Sequence, residues 1–369
     1  MELEIQKRLR VDGLDATVAR LDLKVSVDAY GLTQLNYKVT SPKTRETSEC
    51  RGLILDPSDD WRVVAYPFYR FFNDGEGYAE HVDLATAQLQ EKIDGSLIIL
   101  YWHPYLKQWT AATRGRGLAD GRVGDNQSLT FARLFWSAMP LHEFDSIDRE
   151  ACYMFELVSP ANRVVTLYQE TAVYLIGGRW MESGYELQPK TLDWQAEFFG
   201  IRRPRTFGFT SREDIAGLIG GLSATEEGYV VVDYSKLCDH GGFPRIKVKN
   251  PRYLALAHLV GAGTELSFVK KIIRLVMADA LDELVAYFPE YEKPARDIRA
   301  KLDKLAKNID NTYHAIENLK DNRKVFAAQA LTTPFSGALF NLADGKYTSG
   351  WDYLMGMREE QVVQLLEEV

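Results

Sequence analysis

Lys92 is the residue of this chain best suited to covalent chemistry. It lies in residues 91–97 (EKIDGSL), where the pattern K-x-D-G-S precedes an apolar run. A lysine amine attacks phosphorus or carbonyl carbon only as the free base, so a nucleophilic lysine needs burial or cationic neighbours. Taken alone, K-x-D-G is more typical of a surface turn, because Asp-Gly is a favoured hairpin dipeptide. The pattern becomes informative together with charged residues elsewhere in the chain.

Further charged residues recur at the edges of β-like segments. In chain order they are Arg51 before 52–55 (GLIL), Glu156 at the end of 153–156 (YMFE), Glu227 before 228–232 (GYVVV), and Lys247 and Lys249 in 246–249 (IKVK). Each alone is explained by a solvated strand end, and the two lysines by the outer face of an edge strand. The order and spacing of the whole set favour one shared site.

The ordered set K-x-D-G, F-E, E-G-Y-V and K-x-K resembles motifs I, III, IV and V of the covalent nucleotidyltransferases, which comprise polynucleotide ligases and mRNA capping enzymes. Residues 49–52 (ECRG), 70–73 (RFFN) and 155–163 (FELVSPANR) resemble more narrowly the RNA ligase 1 family of T-even phages. This resemblance implies an ATP-dependent RNA ligase. Such an enzyme joins 5′-phosphate and 3′-hydroxyl RNA ends through a lysyl-AMP intermediate and an adenylylated RNA end.

The resemblance also implies a role for each matching position. The implied catalytic residues are Lys92 as the adenylated lysine, Asp94 in its turn, Glu156 near the ribose, Glu227 at the metal, and Lys247 and Lys249 at the phosphates. The implied nucleotide-binding residues are Arg51, Arg70, Phe72 stacked on adenine, Glu91, Lys92, Gly95, Arg114, Glu156, Lys247 and Lys249.

Two arginines depart from the family pattern. Arg70 and Arg114 stand where the family commonly has lysine, so a planar guanidinium replaces a compact ammonium. In the C-terminal part, Asp282 and Glu283 resemble an acidic pair that holds a second metal ion in the family. The implied cofactors are ATP as the AMP donor and Mg²⁺, with Mn²⁺ as a substitute.

Elementary electrostatics fits this interpretation. Lys247 and Lys249 can neutralise an α-phosphate and, as like charges beside Lys92, favour its uncharged form. A divalent cation balances the remaining phosphate charge. We therefore expect an uncharged Lys92 amine beside the two lysines.

Composition restricts the class of protein. The chain has 369 residues and a net charge of −8, which argues against a uniformly basic nucleic-acid binder. Local basic runs, namely Arg114 with Arg116, 202–205 (RRPR) and 245–249 (RIKVK), are candidates for RNA contact. No apolar run approaches a membrane span and no signal segment is recognised, so we expect a cytoplasmic protein without a membrane partner.

The cysteines favour free thiols. Cys50, Cys152 and Cys238 are odd in number and widely spaced, which suits a reducing compartment better than a disulfide framework. Cys238 and His240 form half of a metal-ligand pattern. Because no second pair lies nearby in the sequence, we expect no structural zinc.

The distribution of patterns predicts an α+β fold in two domains. Residues 1–250 contain short β-patterned runs separated by Gly, Pro and Asp turns, with helical pieces at 129–139 and 193–199, which indicates an antiparallel-sheet nucleotidyltransferase domain. Residues 251–369 show three- and four-residue apolar spacing and predict an all-helical domain. By the resemblance this domain helps to choose the RNA, and the alternative is a bundle that only stabilises the core or forms a dimer contact. This tail lacks the five β-runs of the OB domain that DNA ligases and capping enzymes carry.

Several functional alternatives remain open at this level. A DNA ligase or a capping guanylyltransferase shares the motifs, a non-catalytic RNA- or nucleotide-binding protein could share the scaffold, and an unrelated ATP-dependent enzyme could use Lys92 only as a phosphate ligand. For an RNA ligase the expected partners are single-stranded or nicked RNA, for example a cleaved tRNA anticodon loop, and an end-healing kinase and phosphatase. The sequence does not decide the oligomeric state.

Overall fold

The chain forms two compact units, Met1–Leu254 and Ala255–Val369. The computed structural model describes residues 2–38, 40–124, 126–139, 147–223, 225–260, 269–270, 272–273, 285 and 291–367. The first unit contains strands and helices, and the described residues of the second contain helices only. The predicted α+β class, with an antiparallel-sheet region followed by a helical region, is confirmed.

The strands all lie in the first unit. They are β1 (Leu23–Val27), β2 (Thr33–Tyr37), β3 (Arg51–Asp56), β4 (Arg62–Ala65), β5 (Phe72–Asn73), β6 (Gln88–Glu91), β7 (Ser96–His103), β8 (Gln108–Thr113), β9 (Arg122–Val123), β10 (Asn126–Thr130), β11 (Ala151–Val158), β12 (Ala172–Trp180), β13 (Thr206–Phe207), β14 (Gly228–Val232) and β15 (Arg245–Lys249). The helices up to residue 260 are α1 (Glu4–Leu21), α2 (Arg45–Glu49), α3 (Phe131–Ala138), α4 (Pro189–Phe199), α5 (Arg212–Gly220) and α6 (Pro251–Val260).

The strands assemble into three larger sheets and one short ribbon of β9 and β10. The first sheet has the order β1-β2-β3-β4, the second β12-β11-β7-β8, and the third β13-β6-β14-β15-β5. Pairing is antiparallel except between β5 and β15, which run parallel. The third sheet brings together the ends of β6, β14 and β15, where most of the predicted site residues lie.

Both faces of the second sheet are buried. Ile98 and Leu100 face the core that includes Phe135 of α3, whereas the intervening Ile99 packs with Ile54 of the first sheet. The nearly continuous apolar sequence of β7 follows from this burial on two sides. Each fully buried aliphatic side chain contributes roughly 1.5–3 kcal/mol. This doubly covered sheet is the rigid base for the loops that carry the site.

The N-terminal helix α1 is absent from the sequence-based prediction. Ile5 and Leu9 are buried before Gly13, and Leu21 is buried after it. Gly13 adopts a φ of 75° inside the helix, so the helix is kinked and its apolar face changes phase there. Because the regular three- and four-residue spacing is interrupted, periodicity alone does not reveal the helix.

The second unit is helical throughout its described residues. Its helices are α7 (Glu292–Ile316), α8 (Arg323–Ala330), α9 (Ser336–Ala343), α10 (Gly350–Met355) and α11 (Glu359–Glu367). Leu305 and Ile309 of α7 pack with Phe326, Leu339 and Leu354 in one core. Asp282 and Glu283, the predicted second metal pair, lie outside the described residues. Among the helices that can be described, none has the length and apolarity to cross a bilayer.

Candidate active site

The K-x-D-G segment connects two different sheets. It follows β6 and precedes β7, and the Lys92 N–H donates a hydrogen bond of 2.9 Å to the carbonyl of Gly228. A Cβ atom on Gly95 would lie only 2.4 Å from the Leu157 carbonyl oxygen, so this close passage against β11 requires glycine. The segment is therefore a buried crossing between sheets and not the surface hairpin turn that its composition also allowed.

Asp94 holds this crossing in place. Its Oδ2 accepts hydrogen bonds from the backbone N–H groups of Val165 (3.0 Å) and Thr166 (2.7 Å). Its Oδ1 accepts one from the Tyr253 hydroxyl (2.6 Å). Both carboxylate oxygens are thus engaged by groups outside the lining of the cavity that contains Lys92, and a catalytic role of Asp94 stays a prediction. Asp94 is a positioning residue for the Lys92 segment.

A single cavity brings most of the predicted residues together. We call it the Lys92 cavity, and its lining includes Arg51, Phe68, Phe71, Glu91, Lys92, Glu156, Glu227, Lys247 and Lys249. The strand ends place these side chains, because β6, β11, β14 and β15 all terminate or pass at this point. An amine, carboxylates and further cations therefore share one concave site, as the spacing of the motifs predicted.

Glu227 is the central carboxylate of the cavity. Its Oε2 lies 2.5 Å from Lys92 Nζ, and its Oε1 lies 3.3 Å from Lys249 Nζ. The next residue, Gly228, has a φ of 132°, and a Cβ there would lie 2.3 Å from the Val248 carbonyl oxygen. Glycine thus lets the start of β14 lie against β15 so that Glu227 meets Lys249.

The contact between Lys92 and Glu227 adds a partner that the sequence analysis did not name. Lys92 Nζ donates a hydrogen bond to Glu227 Oε2 at 2.5 Å, so its hydrogen-bond partner is a carboxylate. An uncharged amine at the moment of attack stays a prediction. Lys92 donates to a carboxylate, and its proton must leave before the nitrogen can react.

Lys247 is the lysine most affected by crowding. Burial, followed by the positive charges of Arg51, Lys92 and Lys249, lowers the pKa of Lys247 to about 7. Its Nζ lies 4.5 Å from the centre of the Phe71 ring. The sequence analysis expected neighbouring positive charges to favour the uncharged form of Lys92. In the structure, such charges lower the pKa of Lys247.

Glu156 is the second carboxylate of the cavity. Burial raises its pKa to about 7, an effect that the charge of Lys92 opposes and the charge of Glu227 reinforces. Glu156 and Lys247 therefore both titrate near neutral pH inside one cavity. Groups with such pKa values are suited to move protons at physiological pH.

Three arginines form a group without carboxylate partners, which we call the unpaired arginine cluster: Arg51, Arg70 and Arg114. No direct ion pair joins them to an acidic residue within the described chain, although the charge of Arg51 acts on Glu156 in the Lys92 cavity. One buried guanidinium nitrogen of Arg51 and one of Arg70 have no hydrogen-bond partner. Arg70 and Arg114 both stack on Tyr37, at 4.2 and 4.4 Å from its ring centre. Burial, with the nearby charges of Arg51 and Arg70, lowers the pKa of Arg114.

Three other arginines, which we call the paired arginines, belong to the basic run 202–205. Their carboxylate partners are Glu170 for Arg202 at 2.6 Å, Asp193 for Arg203 at 3.0 Å, and Glu91 for Arg205 at 2.9 Å. Glu91 holds Arg205 through both of its oxygens. Glu91, a predicted nucleotide-binding residue, thus forms an ion pair with Arg205. The positive charges of the predicted RNA-binding run 202–205 are neutralised by neighbouring carboxylates.

The two phenylalanines of the RFFN segment point in opposite directions. Phe71 lines the Lys92 cavity, whereas Phe72 is 8% exposed and lies near Arg70 and Tyr78. Successive side chains of an extended segment alternate between faces. The structure thus places Phe71, and not Phe72, on the wall of the Lys92 cavity, and the stacking of Phe72 on adenine stays a prediction.

The half metal-ligand pattern of Cys238 and His240 gains a third member in the structure. Glu80 joins them, and the candidate ligand atoms lie within 4.8 Å of one another. However, the Gly242 N–H donates to His240 Nδ1 (3.1 Å), which leaves the ring proton on Nε2 facing Glu80 Oε1 (2.8 Å). A metal ion on Nε2 would need that proton on Nδ1, against the Gly242 N–H. The geometry favours a hydrogen-bond network among Glu80, His240 and Gly242.

Some residues of these sites belong to none of the sequence motifs. They are Tyr37, Glu80 and Tyr253.

Comparison with known proteins gives the family. The RNA ligase family typified by T4 RNA ligase 1 matches residues 49–253, which include the whole Lys92 cavity. The chain belongs to this RNA ligase family. The match also contains the unpaired arginine cluster and the Asp94 contacts.

Individual relatives agree with the family. The chain is 32% identical over 274 residues to a protein of Autographa californica nuclear polyhedrosis virus named as a bifunctional polynucleotide kinase/RNA ligase, covering 68% of this chain and 37% of that protein. It is 26% identical over 363 residues to the RNA ligase of Rhodothermus phage RM378, covering 80% of this chain and 81% of the phage protein. An archaeal ATP-dependent RNA ligase has the same fold, with a TM-score of 0.50, 14% identity and coverage of 82% and 83% of the two chains.

Proposed function

We propose that this protein is an ATP-dependent RNA ligase that joins a 5′-phosphate to a 3′-hydroxyl through three nucleotidyl transfers. The observation that carries the proposal is the Lys92 cavity, in which Lys92 shares a proton with Glu227 beside Lys247, Lys249 and Glu156. A nucleophile, a proton acceptor and phosphate-binding cations thus converge on one point. Family membership supports the same reaction.

In the first transfer the Lys92 nitrogen attacks the α-phosphorus of ATP. The Lys92 ammonium gives up one proton to become the free amine and a second as the nitrogen–phosphorus bond forms, while the bond to the bridging oxygen breaks and pyrophosphate leaves on the opposite side. The second proton departs with pyrophosphate or to solvent water. Glu227 Oε2 already shares the proton of Nζ at 2.5 Å, so Glu227 is the base within reach. Arg51, Lys247 and Lys249 supply positive charge for the phosphate oxygens.

A divalent cation fits the donor set of the cavity. Glu227 and Glu156 offer the hard oxygen ligands that Mg²⁺ prefers, with Mn²⁺ as a substitute. When bound, such a cation supplies Lewis-acid charge that neutralises phosphate oxygens.

In the second and third transfers AMP passes to the RNA and then leaves. An oxygen of the RNA 5′-phosphate attacks the AMP phosphorus, and the Lys92 nitrogen departs with a proton. The 3′-hydroxyl of the other end then attacks the activated phosphate, a phosphodiester forms and AMP leaves. Lys247, whose pKa of about 7 results from burial and cationic neighbours, can provide the proton that the departing Lys92 needs.

The physiological substrate is the less specific part of the proposal. We infer single-stranded or nicked RNA, for example a cleaved tRNA, with ends prepared by a kinase and a phosphatase. The viral relative, named as both a kinase and a ligase, supports such a pairing of activities. We assign the helical unit a part in selecting the RNA.

The test is a sealing assay with 5′-labelled RNA, ATP and Mg²⁺. We expect an adenylylated RNA intermediate and a sealed product, both absent in Lys92→Arg, which keeps the charge beside Glu227 but has no nucleophilic amine. GTP in place of ATP, and DNA in place of RNA, test the capping and DNA-joining alternatives. Sealing by Lys92→Arg, or a preference for GTP or DNA ends, would reject the proposal.

A further inference from the structure

A second pocket lies on the other side of β5 from the Lys92 cavity. Its lining includes Lys43, Arg45, Arg70, Phe72, Tyr78 and Glu80, and we call it the Phe72 pocket. Phe71 points into the Lys92 cavity, while Arg70 and Phe72 on either side of it point into the Phe72 pocket. Three consecutive residues thus join the two sites, and the first nucleotidyl transfer as proposed above draws its charges and its base from the Lys92 cavity.

The Phe72 pocket combines aromatic faces with cations. The rings of Phe72 and Tyr78 lie 5.8 Å apart with an interplanar angle of 34°. Lys43 Nζ lies 4.7 Å from the centre of the Tyr78 ring. Tyr78 is 56% exposed, so a large part of an aromatic surface remains open to solvent. Aromatic faces beside positive charge are the arrangement on which proteins stack single-stranded bases.

Arg70 of this pocket precedes Phe71 of the Lys92 cavity in the chain, and its charge, like that of Arg51 in that cavity, acts on Arg114. Its guanidinium lies between the rings of Tyr37 (4.2 Å) and Phe72 (5.1 Å), with one buried nitrogen that has no hydrogen-bond partner. The carboxylate of Glu80 does not neutralise it, because Glu80 accepts hydrogen bonds from His240 Nε2 and the Arg245 N–H. The pocket therefore lacks an anion at Arg70.

The in-line geometry of the reaction indicates which anion binds at Arg70. The following step rests on the proposed function. Pyrophosphate leaves opposite Lys92 in the first transfer, and the group that later displaces Lys92 must enter from that same side. The entering group is the 5′-phosphate of RNA. The nucleoside attached to it extends beyond the unpaired arginine cluster, where Arg70 leads to the Phe72 pocket.

We propose that the Phe72 pocket binds the 5′-terminal nucleotide of the RNA strand being activated. The base stacks on Tyr78 and Phe72 beside Lys43, and Arg70 contacts the 5′-phosphate. This site is separate from the one that binds the adenosine of ATP. It gives the enzyme a means of holding an RNA end in line with the lysyl-AMP phosphorus.

The test separates the first transfer from the second. Tyr78→Ala and Lys43→Ala are compared with Tyr78→Phe, which keeps the aromatic face, and with Tyr185→Ala, an exposed tyrosine that lines neither pocket. Lysyl-AMP formation is measured with α-labelled ATP. The transfer of AMP from isolated lysyl-AMP enzyme to 5′-phosphorylated RNA is measured next.

We expect Tyr78→Ala to lose about 10-fold or more in the transfer to RNA, as one base–aromatic stack is worth roughly 1–3 kcal/mol. Lysyl-AMP formation should change far less, and Tyr78→Phe and Tyr185→Ala should match the parent in both steps. An RNA whose first residue lacks its base should be a poor acceptor for the parent and should show no further loss with Tyr78→Ala.

Two results would overturn the inference while leaving ligation intact. One is transfer to RNA by Tyr78→Ala at the parent rate, and the other is an equal loss in lysyl-AMP formation, which would assign the pocket to ATP. Failure of the parent to form lysyl-AMP would instead reject the proposed function, on which this inference rests.

Discussion

The unpaired arginine cluster and the paired arginines have the same residue type but opposite surroundings. Each of the paired arginines, in the run 202–205, has a carboxylate within 3.0 Å. The unpaired arginine cluster has none within the described residues, and it is scattered through the sequence at positions 51, 70 and 114. The basic run visible in the sequence is neutralised by the fold, whereas the cluster that can receive an anion is assembled only by the fold.

The energetic consequences of the two arrangements differ. Exposed ion pairs such as Arg202 with Glu170 contribute roughly 0–1 kcal/mol each. A buried guanidinium N–H without a partner, as in Arg51 and Arg70, costs about 1–3 kcal/mol. Arg51 and Arg70 are thus held at a cost that a bound phosphate would offset, as in a preorganised anion site.

The largest effect should come from breaking the unpaired arginine cluster. We expect Arg51→Ala to reduce the rate of lysyl-AMP formation about 10²- to 10³-fold, the usual loss when one preorganised charge-stabilising donor is removed. Arg203→Ala is the matched control from the paired arginines and should change the rate less than about twofold, because its guanidinium already belongs to Asp193. Equal losses in the two variants, measured with α-labelled ATP, would remove the distinction between the groups.

Lys247 provides a second test of the unpaired arginine cluster, because the positive charge of Arg51, a member of that cluster, helps to lower the pKa of Lys247. Its pKa in the folded state is lowered to about 7, by burial first, from an unfolded value of 10.5. The charged form is therefore disfavoured by folding, and the destabilisation is complete below pH 7 and fades as the pH rises towards 10.5.

Lys247→Met should therefore unfold at higher urea concentration than the parent, with a larger gain at about pH 6 than at about pH 9. The same variant should lose about 10²-fold in lysyl-AMP formation, since a phosphate-binding charge is absent. Urea unfolding of both proteins at the two pH values is the measurement. A gain that grows with pH would contradict the depressed pKa of Lys247.

The smallest effect is expected for the paired arginines themselves. Arg202→Ala removes an exposed contact with Glu170 and should alter the free energy of unfolding by less than about 1 kcal/mol. The salt dependence of RNA sealing should also stay close to that of the parent, because a neutralised arginine releases few counterions. A markedly shallower salt dependence in Arg202→Ala would show that this run does contact RNA.

The sequence predicts those parts of the molecule that depend on local pattern. The β-runs, the helical C-terminal part and the motif residues Lys92, Glu227 and Lys247 are of this kind, because strand alternation and motif order are local properties. Helix α1 is missed because the kink at Gly13 shifts its apolar face. Two adjacent phenylalanines do not reveal from the sequence which one faces the cavity, and the structure places Phe71 there.

Other features depend on contacts between distant residues. Asp94 belongs to the motif, yet its oxygens are taken by Thr166 and Tyr253, which lie 72 and 159 positions away in the chain. The hydrogen-bond partner of Lys92 is Glu227, 135 positions away in the chain. Neither pairing can be read from spacing, because the crossing between the sheets creates both.

The central claim is that Lys92 forms a covalent bond to AMP within the Lys92 cavity. The most direct measurement is to incubate the protein with Mg²⁺ and ATP labelled at the α-phosphate, digest it after denaturation and locate the acid-labile label. We predict label on the peptide that contains Lys92 and none on Lys92→Arg. Label on another peptide, label retained by Lys92→Arg, or no label on the parent would contradict the claim.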